Sequence, residues 1–195
     1  MSGAVATQEK WNKIYSSAES VGDAVAVLKE NSHLLPAQGQ ALELACGMGR
    51  NALFLARQGL ETAAWDISDV AIQRLNEEAK AQNFSAGFHA QIRDVVKEPM
   101  LPNSFDVIVV SYFLDRSLMP AIQDALRPGG LLFYQTFSRL QVDESGPRNP
   151  DFRLADNELL SLFSQMRLLV YREEGCVGDC EKGFRNEVKM VAQKR

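Results

Sequence analysis

The sequence predicts an α/β fold: a mostly parallel, doubly wound sheet of seven strands with helices on both faces and a C-terminal antiparallel hairpin. Three observations predict it. Strand-like apolar runs recur five times between residues 40 and 137, with amphipathic runs among them. The run at 105–113 is β-branched almost throughout, the pattern of a parallel strand covered on both faces. Two further apolar runs, at 168–174 and 187–192, read as the strands of a terminal hairpin that sets an antiparallel strand at one edge. Parallel neighbours need a crossover long enough to cover the sheet, so the alternation itself implies the layers.

Residues 21–31 read as a helical preamble. The run 40–46 is a short strand ending in glycines, and 51–58 follows as a helix with Leu53, Ala56 and Leu60 near helical spacing. A second strand spans 61–67. The helix expected over 69–82 puts Ile72, Leu75 and Ala79 on one face, with Glu77, Glu78 and Lys80 turned away. A weaker third strand covers 87–95. After the fourth strand, 117–126 reads as a helix stopped by Arg127-Pro128-Gly129-Gly130, and 131–137 is the fifth strand. The polar stretch 138–153, holding Pro147 and Pro150, is a loop of unusual length, of the kind that covers sites. Helix returns over 156–166, with Leu159, Leu162, Phe163 and Met166 on one face.

The chain has 195 residues, 46% hydrophobic and 24% charged, the balance of one folded domain with a sizeable core. A net charge of −4, with no long run of Lys and Arg, argues against nucleic acid as the main partner. No apolar run reaches the roughly 20 residues that span a bilayer. Residues 1–10 lack the pattern of a secretory signal. Three cysteines, an odd number, suit a reducing compartment, so a cytoplasmic location is expected. Cys176 and Cys180 in Gly-Cys-Val-Gly-Asp-Cys read as a glycine-rich hairpin tip; two ligands without a nearby histidine do not make a closed zinc site. No metal is expected.

The most informative segment runs from Ala41 through Glu43, Cys46, Gly47, Gly49 and Arg50 to Ala52. It joins an apolar strand, a small-residue turn and the opening of a helix. Glycine lets backbone approach a ligand, a new helix offers free N–H groups, and in an open parallel sheet such a turn lies where ligands bind. By itself Gly47-Met48-Gly49-Arg50-Asn51-Ala52 also fits the dinucleotide pattern G-x-G-x-x-A, and Asp66 could hold a ribose in either case. Glu43 within the strand, Phe105-Asp106-Val107-Ile108 and Arg127-Pro128-Gly129-Gly130 extend the pattern further.

In the order Glu-x-x-Cys-Gly-x-Gly, Trp65-Asp66-Ile67-Ser68, Phe-Asp-Val-Ile and Arg-Pro-Gly-Gly, residues 40–138 resemble the class I S-adenosylmethionine-dependent methyltransferases, which have a Rossmann-like fold. Gly49-Arg50-Asn51-Ala52-Leu53 followed by Trp65-Asp66 is similar to the small tellurite-resistance and thiopurine-type members. The resemblance implies one methyltransferase domain over 1–195. Within it, 1–35 is an N-terminal helical segment, 40–138 the cofactor-binding core, 139–154 an acceptor-side loop, and 155–195 a helix plus hairpin.

It also implies S-adenosyl-L-methionine as cofactor, with Ala45, Cys46, Gly47 and Gly49 forming the turn along its methionine part. Glu43, Arg50 and Asn51 would stand near its amino and carboxylate ends. Asp66 would accept both ribose hydroxyls, a bidentate match to a vicinal diol, with Ile67 against the adenine; the other reading of Asp66 is a cap for the helix at Asp69. Asp94 would take the adenine amino group and Val95 supply a backbone N–H, unless Asp94 only forms a turn. Ser111, Tyr112 and Phe113 would lie beside the sulfonium. Trp11 and Tyr15, four apart, would share a helix face over the cofactor or anchor a core.

The acceptor is read as a small, soft or polar nucleophile. Where members that methylate amide nitrogens carry Asn/Asp-Pro-Pro-Tyr/Phe, this chain has Ser-Tyr-Phe-Leu-Asp. No histidine–carboxylate pair offers a base; Asp115 and Tyr134 are the nearest candidates. Arg139, Arg148, Asn149 and Arg153 of the long loop either face a polar acceptor or are solvated. A protein or RNA acceptor, an idle binding protein of the same fold, and a nicotinamide-dependent oxidoreductase are the alternatives.

Overall fold

The computed structural model describes residues 3–84 and 86–195; residues 1 and 2 of the expected N-terminal segment, and residue 85, lie outside it. Seven strands form one sheet: β1 (Gln40–Leu44), β2 (Glu61–Asp66), β3 (Phe88–Ile92), β4 (Phe105–Ser111), β5 (Leu126–Phe137), β6 (Arg167–Arg172) and β7 (Glu187–Gln193). Their order is β3-β2-β1-β4-β5-β7-β6. The first five are mutually parallel where they pair, and β7 is antiparallel to both β5 and β6.

Alternation along the central strands explains the layers. Leu42, Leu44, Ile108, Val110, Leu132 and Tyr134 join one core cluster, while Ala41, Val107, Val109, Leu131 and Phe133 join another on the opposite face. A third cluster couples α3 (Arg50–Arg57) and α4 (Asp69–Ala81) to β2 through Leu53, Ala64, Ile72 and Leu75. The apolar stripe of α4 expected from its spacing is buried at Ile72, Leu75 and Ala79.

Several boundaries differ from the sequence expectation. The helical preamble shrinks to α2 (Ala26–Glu30) and a 3₁₀ turn (Ser32–Leu34), and a separate helix, α1 (Gly3–Ser16), precedes it. Helix α5 (Met119–Ala125) ends sooner, because Arg127-Pro128-Gly129-Gly130 lies within β5. The register there jumps from Phe105↔Leu126 to Val107↔Leu131, so the expected breaker is a bulge. Helix α6 (Glu158–Leu162) is half its expected length.

The hairpin also inserts differently. β7, not β6, sits next to β5, so the antiparallel strand is one place in from the edge. Burial explains the choice. Val188, Met190, Val191 and Ala192 are almost fully buried and need cover on both faces, whereas β6 is half exposed and tolerates the edge.

Candidate functional site

The sheet order reverses direction between β1 and β4, and a cleft of about 310 Å³ opens at the carboxyl ends of these strands and their neighbours. Its floor comes from the turn after β1, its sides from the residues following β2, β3 and β4, and its roof from α1.

The turn after β1 needs unusual backbone. Ala45 and Gly47 both have φ of 53°, and Gly49 caps α3 in the left-handed region at 77°. A side chain on Gly47 would meet the Tyr15 hydroxyl 2.6 Å away, and one on Gly49 would run into Leu75. Cys46 is buried within this turn, its backbone N–H on the Trp65 carbonyl, and burial pushes its thiol well above the ordinary range.

Asp66 ends β2 and lines the cleft while only 5% exposed. One carboxylate oxygen accepts the Gly47 N–H at 2.7 Å and the other the Ser68 N–H at 2.8 Å. These bonds tie the tip of β2 to the glycine turn and leave each oxygen a lone pair. Burial raises the Asp66 pKa despite the Ser68, Gly47 and Ile67 N–H groups, which favour its charged form. The cap of α4 is Ser68, whose Oγ accepts the Ala71 N–H; Asp66 precedes it.

Glu43 and Asn51 do not line the cleft; they stand behind its wall. Glu43 is 1% exposed and accepts the Asn51 amide at 2.6 Å and the Ala52 N–H at 2.7 Å. Asn51 also donates to Ser111 Oγ and accepts the Val25 N–H. Burial pushes the Glu43 carboxyl up to about 7. This pair stitches β1, α3, β4 and the start of α2 together.

Arg50, the first residue of α3, does line the cleft. Its guanidinium lies 5.0 Å from the Tyr112 ring centre and has no hydrogen-bond or ion-pair partner among the described residues. Ile67 and Val95 line the far end. The Val95 N–H is unpaired among the described residues, whereas Asp94 is engaged: it accepts the Val96 N–H and pairs with Lys97. Asp94 thus forms a turn and also borders the cleft.

Trp11 and Tyr15 stack at 5.8 Å on the cleft side of α1. The helix is held to α4 by polar contacts. Asn12 donates to Asp69 and accepts from Ser68 Oγ, both at 2.6 Å, and Arg74 reaches the Tyr15 and Ala18 carbonyls.

The other expected acceptor and base residues lie elsewhere. Tyr134 is fully buried and donates to the Phe113 carbonyl, and Asp115 caps the 3₁₀ turn at Arg116–Leu118. Arg153, 5% exposed, donates to the Ser138, Ser145 and Pro147 carbonyls, so it organises the long loop from within. Arg139, Arg148 and Asn149 are exposed and do not border the cleft; Asn149 caps the 3₁₀ turn Pro150–Phe152. Cys176 and Cys180 sit with free thiols on the β6–β7 connection.

Three positions that sequence reasoning missed complete the site. Arg93 lines the cleft with its guanidinium 3.9 Å above the Trp65 ring centre. Gln135 and Glu187 hold the Tyr112 hydroxyl. No local motif marks Gln135 or Glu187, since strands β5 and β7 bring them to Tyr112.

Comparison with known proteins bears on the family and the fold. The chain is 27% identical over 193 residues to a Haemophilus influenzae protein named "Probable S-adenosyl-L-methionine-dependent methyltransferase TehB", covering 94% of this chain. It spans 63% of the length of that relative. The crystal structure of TehB from Haemophilus influenzae superposes with a TM-score of 0.66 at 23% identity, covering 96% of this chain and 67% of that one. A methyltransferase structure from Methanosarcina mazei gives 0.67 at 19% identity, over 89% and 99% of the two chains. Both superpositions show the fold. The family described as "Tellurite resistance protein TehB" matches residues 6–192, and the chain belongs to that family.

Proposed function

We propose that this chain is an S-adenosylmethionine-dependent methyltransferase acting on a small, soft or polar nucleophile in the cytoplasm. The observation that carries the reading is the charge pattern of the cleft. A buried carboxylate, Asp66, stands over the glycine turn, and Arg50, whose guanidinium has no hydrogen-bond or ion-pair partner among the described residues, stands at the start of α3. That donor set fits a sulfonium nucleoside, which offers a vicinal diol to a carboxylate and an amino-acid carboxylate to a cation. Family membership, the relative's name and the free thiols of Cys46, Cys176 and Cys180 support the reading and its compartment.

When bound, the cofactor supplies an electrophilic methyl group on a positively charged sulfur. The residues of this chain bind and align. Asp66 would accept the ribose hydroxyls, and the Val95 N–H, with Ile67 beside it, would be available to the adenine edge. Arg50 would pair with the carboxylate. Gly47 and Gly49 keep the turn open to close approach, and α1 with Trp11 and Tyr15 shields the cleft from water. Alignment of donor and acceptor is worth about 7–11 kcal/mol in well-oriented reactions, which is the main service such a site provides. The unit comprises residues 1–195, in which one sheet carries both the cofactor half and the terminal hairpin.

Calorimetry with S-adenosylmethionine, S-adenosylhomocysteine and NAD tests this. Binding of the two sulfur nucleosides, with no NAD binding, is expected. Binding of NAD alone, or of none of the three, overturns the reading. Transfer of labelled methyl from the cofactor to RNA or protein, but to no small molecule, overturns the acceptor class.

A further inference from the structure

We infer that Gln135 and Glu187 are positioning residues for the amino-acid end of the cofactor: they lock the Tyr112 ring, and the ring aims the Arg50 guanidinium. The inference rests on the methyltransferase reading above, in which Arg50 meets the cofactor's carboxylate. It brings in one residue of β5 and one of β7, neither of which lines the cleft.

A long side chain at the start of a helix has many rotamers to lose when it meets a ligand. Arg50 has no hydrogen bond or ion pair among the described residues to hold it in one of them. What directs its guanidinium is the Tyr112 ring, whose centre lies 5.0 Å away. The ring quadrupole attracts a cation over its face. Such a contact leaves the guanidinium N–H groups without a protein acceptor, open to a carboxylate. Both Arg50 and Tyr112 line the cleft.

The ring is itself held at both ends. Tyr112 directly follows β4 with φ of 52°, a left-handed backbone that a non-glycine residue adopts only when its surroundings hold it there. Its N–H donates to the Gln135 backbone carbonyl at 2.9 Å. At the far end, its hydroxyl lies 3.0 and 3.1 Å from the two Glu187 oxygens and accepts the Gln135 side-chain amide at 3.2 Å. That amide also donates to Glu187 at 2.7 Å, and its oxygen accepts the Val27 N–H at 2.8 Å, so its direction is fixed. Phe137 packs against the ring with centres 5.0 Å apart.

The hydroxyl is therefore committed to the protein. Because Gln135 donates to its oxygen, its hydrogen points to Glu187. Burial and the Glu187 charge raise the Tyr112 pKa, with Arg50 opposing them, so the ring stays a neutral phenol. A phenol that donates to a carboxylate is polarised toward a more electron-rich ring, which strengthens the face offered to a cation. Glu187 thus acts on Arg50 through the ring in two ways, by fixing its place and by enriching its face.

The test uses a pair of ligands that differ at one end. S-adenosylhomocysteine carries the amino-acid end, and 5′-methylthioadenosine keeps the nucleoside and thioether without it. Calorimetry compares the wild type with R50A, Y112L, E187Q and the double variant R50A/Y112L. For S-adenosylhomocysteine, R50A should lose about 10- to 100-fold in affinity, the scale of a charge-assisted pair. Y112L should lose about 3- to 30-fold, the range of one cation–π contact, and E187Q about 3-fold. For 5′-methylthioadenosine every variant should stay within about 2-fold of wild type, which also shows that each is folded. The double variant should bind S-adenosylhomocysteine as R50A does, within about 2-fold, because no guanidinium is left for the ring to aim.

Equal losses of the two ligands in Y112L and E187Q would make the cluster a wall of the cleft and overturn the inference. So would additive losses in R50A/Y112L, or an R50A protein that holds S-adenosylhomocysteine as tightly as wild type. A wild type that binds neither ligand is a different result, and it rejects the methyltransferase reading itself.

Discussion

Glu43 Oε2 accepts the Ala52 backbone N–H at 2.7 Å, which makes a strand residue the cap of the helix that follows it. Helix α3 has Gly49 at its start, and glycine has no side chain to satisfy the first-turn donors. A buried carboxylate from β1 does so instead. The glycine turn thus keeps its backbone open to a ligand while a residue outside the cleft secures the helix.

Burial of Glu43 has a consequence for stability. The carboxyl ionises near 4.5 when exposed and only near 7 in the fold, so in that window the folded state holds the extra proton. Its contribution is fully present below pH 4.5 and is lost as pH rises through about 7. Urea unfolding across this range should show wild type losing on the order of 2–3 kcal/mol relative to Glu43→Gln. Parallel curves for the two proteins would show that Glu43 ionises normally.

Two glycines with similar backbone should respond differently to alanine. Gly129 has φ of 80° and open space around it, so Gly129→Ala should cost about 1–2 kcal/mol for the left-handed backbone alone. Gly49→Ala adds overlap with the Leu75 methyls, and should cost a further 1–3 kcal/mol, roughly. It should also weaken S-adenosylhomocysteine binding, which Gly129→Ala leaves unchanged. Thermal unfolding and calorimetry measure the two effects separately.

Asp66 is expected to matter for both ribose hydroxyls. Asp66→Asn keeps the shape but lowers acceptor strength and lacks one acceptor oxygen. S-adenosylhomocysteine affinity should fall about 10- to 100-fold, the scale of one to two charge-assisted hydrogen bonds. An unchanged dissociation constant would place the ribose elsewhere.

The loop arginines separate cleanly. Arg153 saturates three carbonyls from inside the loop and stacks its guanidinium 5.5 Å from the Phe137 ring centre. Arg153→Ala should destabilise the fold by about 1–3 kcal/mol, because the buried Ser138 carbonyl loses its partner. Arg148→Ala, at an exposed position, should stay within about 0.5 kcal/mol. Denaturant midpoints decide.

Asn12 bridges α1 to Ser68 and Asp69. No residue of α1 with a described side chain is fully buried, so the helix depends on such contacts. In Asn12→Ala, amide hydrogen exchange over residues 5–16 should quicken while α4 stays protected. Cofactor dissociation should accelerate a few-fold, as read by stopped-flow fluorescence of Trp11. Unchanged exchange would mean that α1 is held by Arg74 and the aromatic pair alone.

The sheet and its glycine turn were legible because their causes are local. Continuous apolar runs mark strands covered on both faces, and Gly47, Gly49 and Asp66 are marked by residue types that few other settings require. Ile72, Leu75 and Ala79 showed the buried face of α4 through spacing alone. What spacing could not show was how far a local tendency survives. Arg127-Pro128-Gly129-Gly130 has the composition of a breaker, yet pairing with β4 on one side and β7 on the other carries the strand through it as a bulge.

The sequence by itself determined the strand–turn–helix unit and the carboxylate that ends the next strand, because a left-handed turn favours glycine and Asp66 stands in the strand beside it. Only the tertiary structure decided which polar residues face the cleft. Glu43 and Asn51 adjoin the glycine turn in sequence but bond to each other behind it, and Arg153 turns into its own loop. Glu187, far along the chain, reaches Tyr112 because the burial demand of β7 draws that strand in beside β5. Side-chain direction follows from which groups must be satisfied away from water, and that is set by contacts between strands distant in sequence.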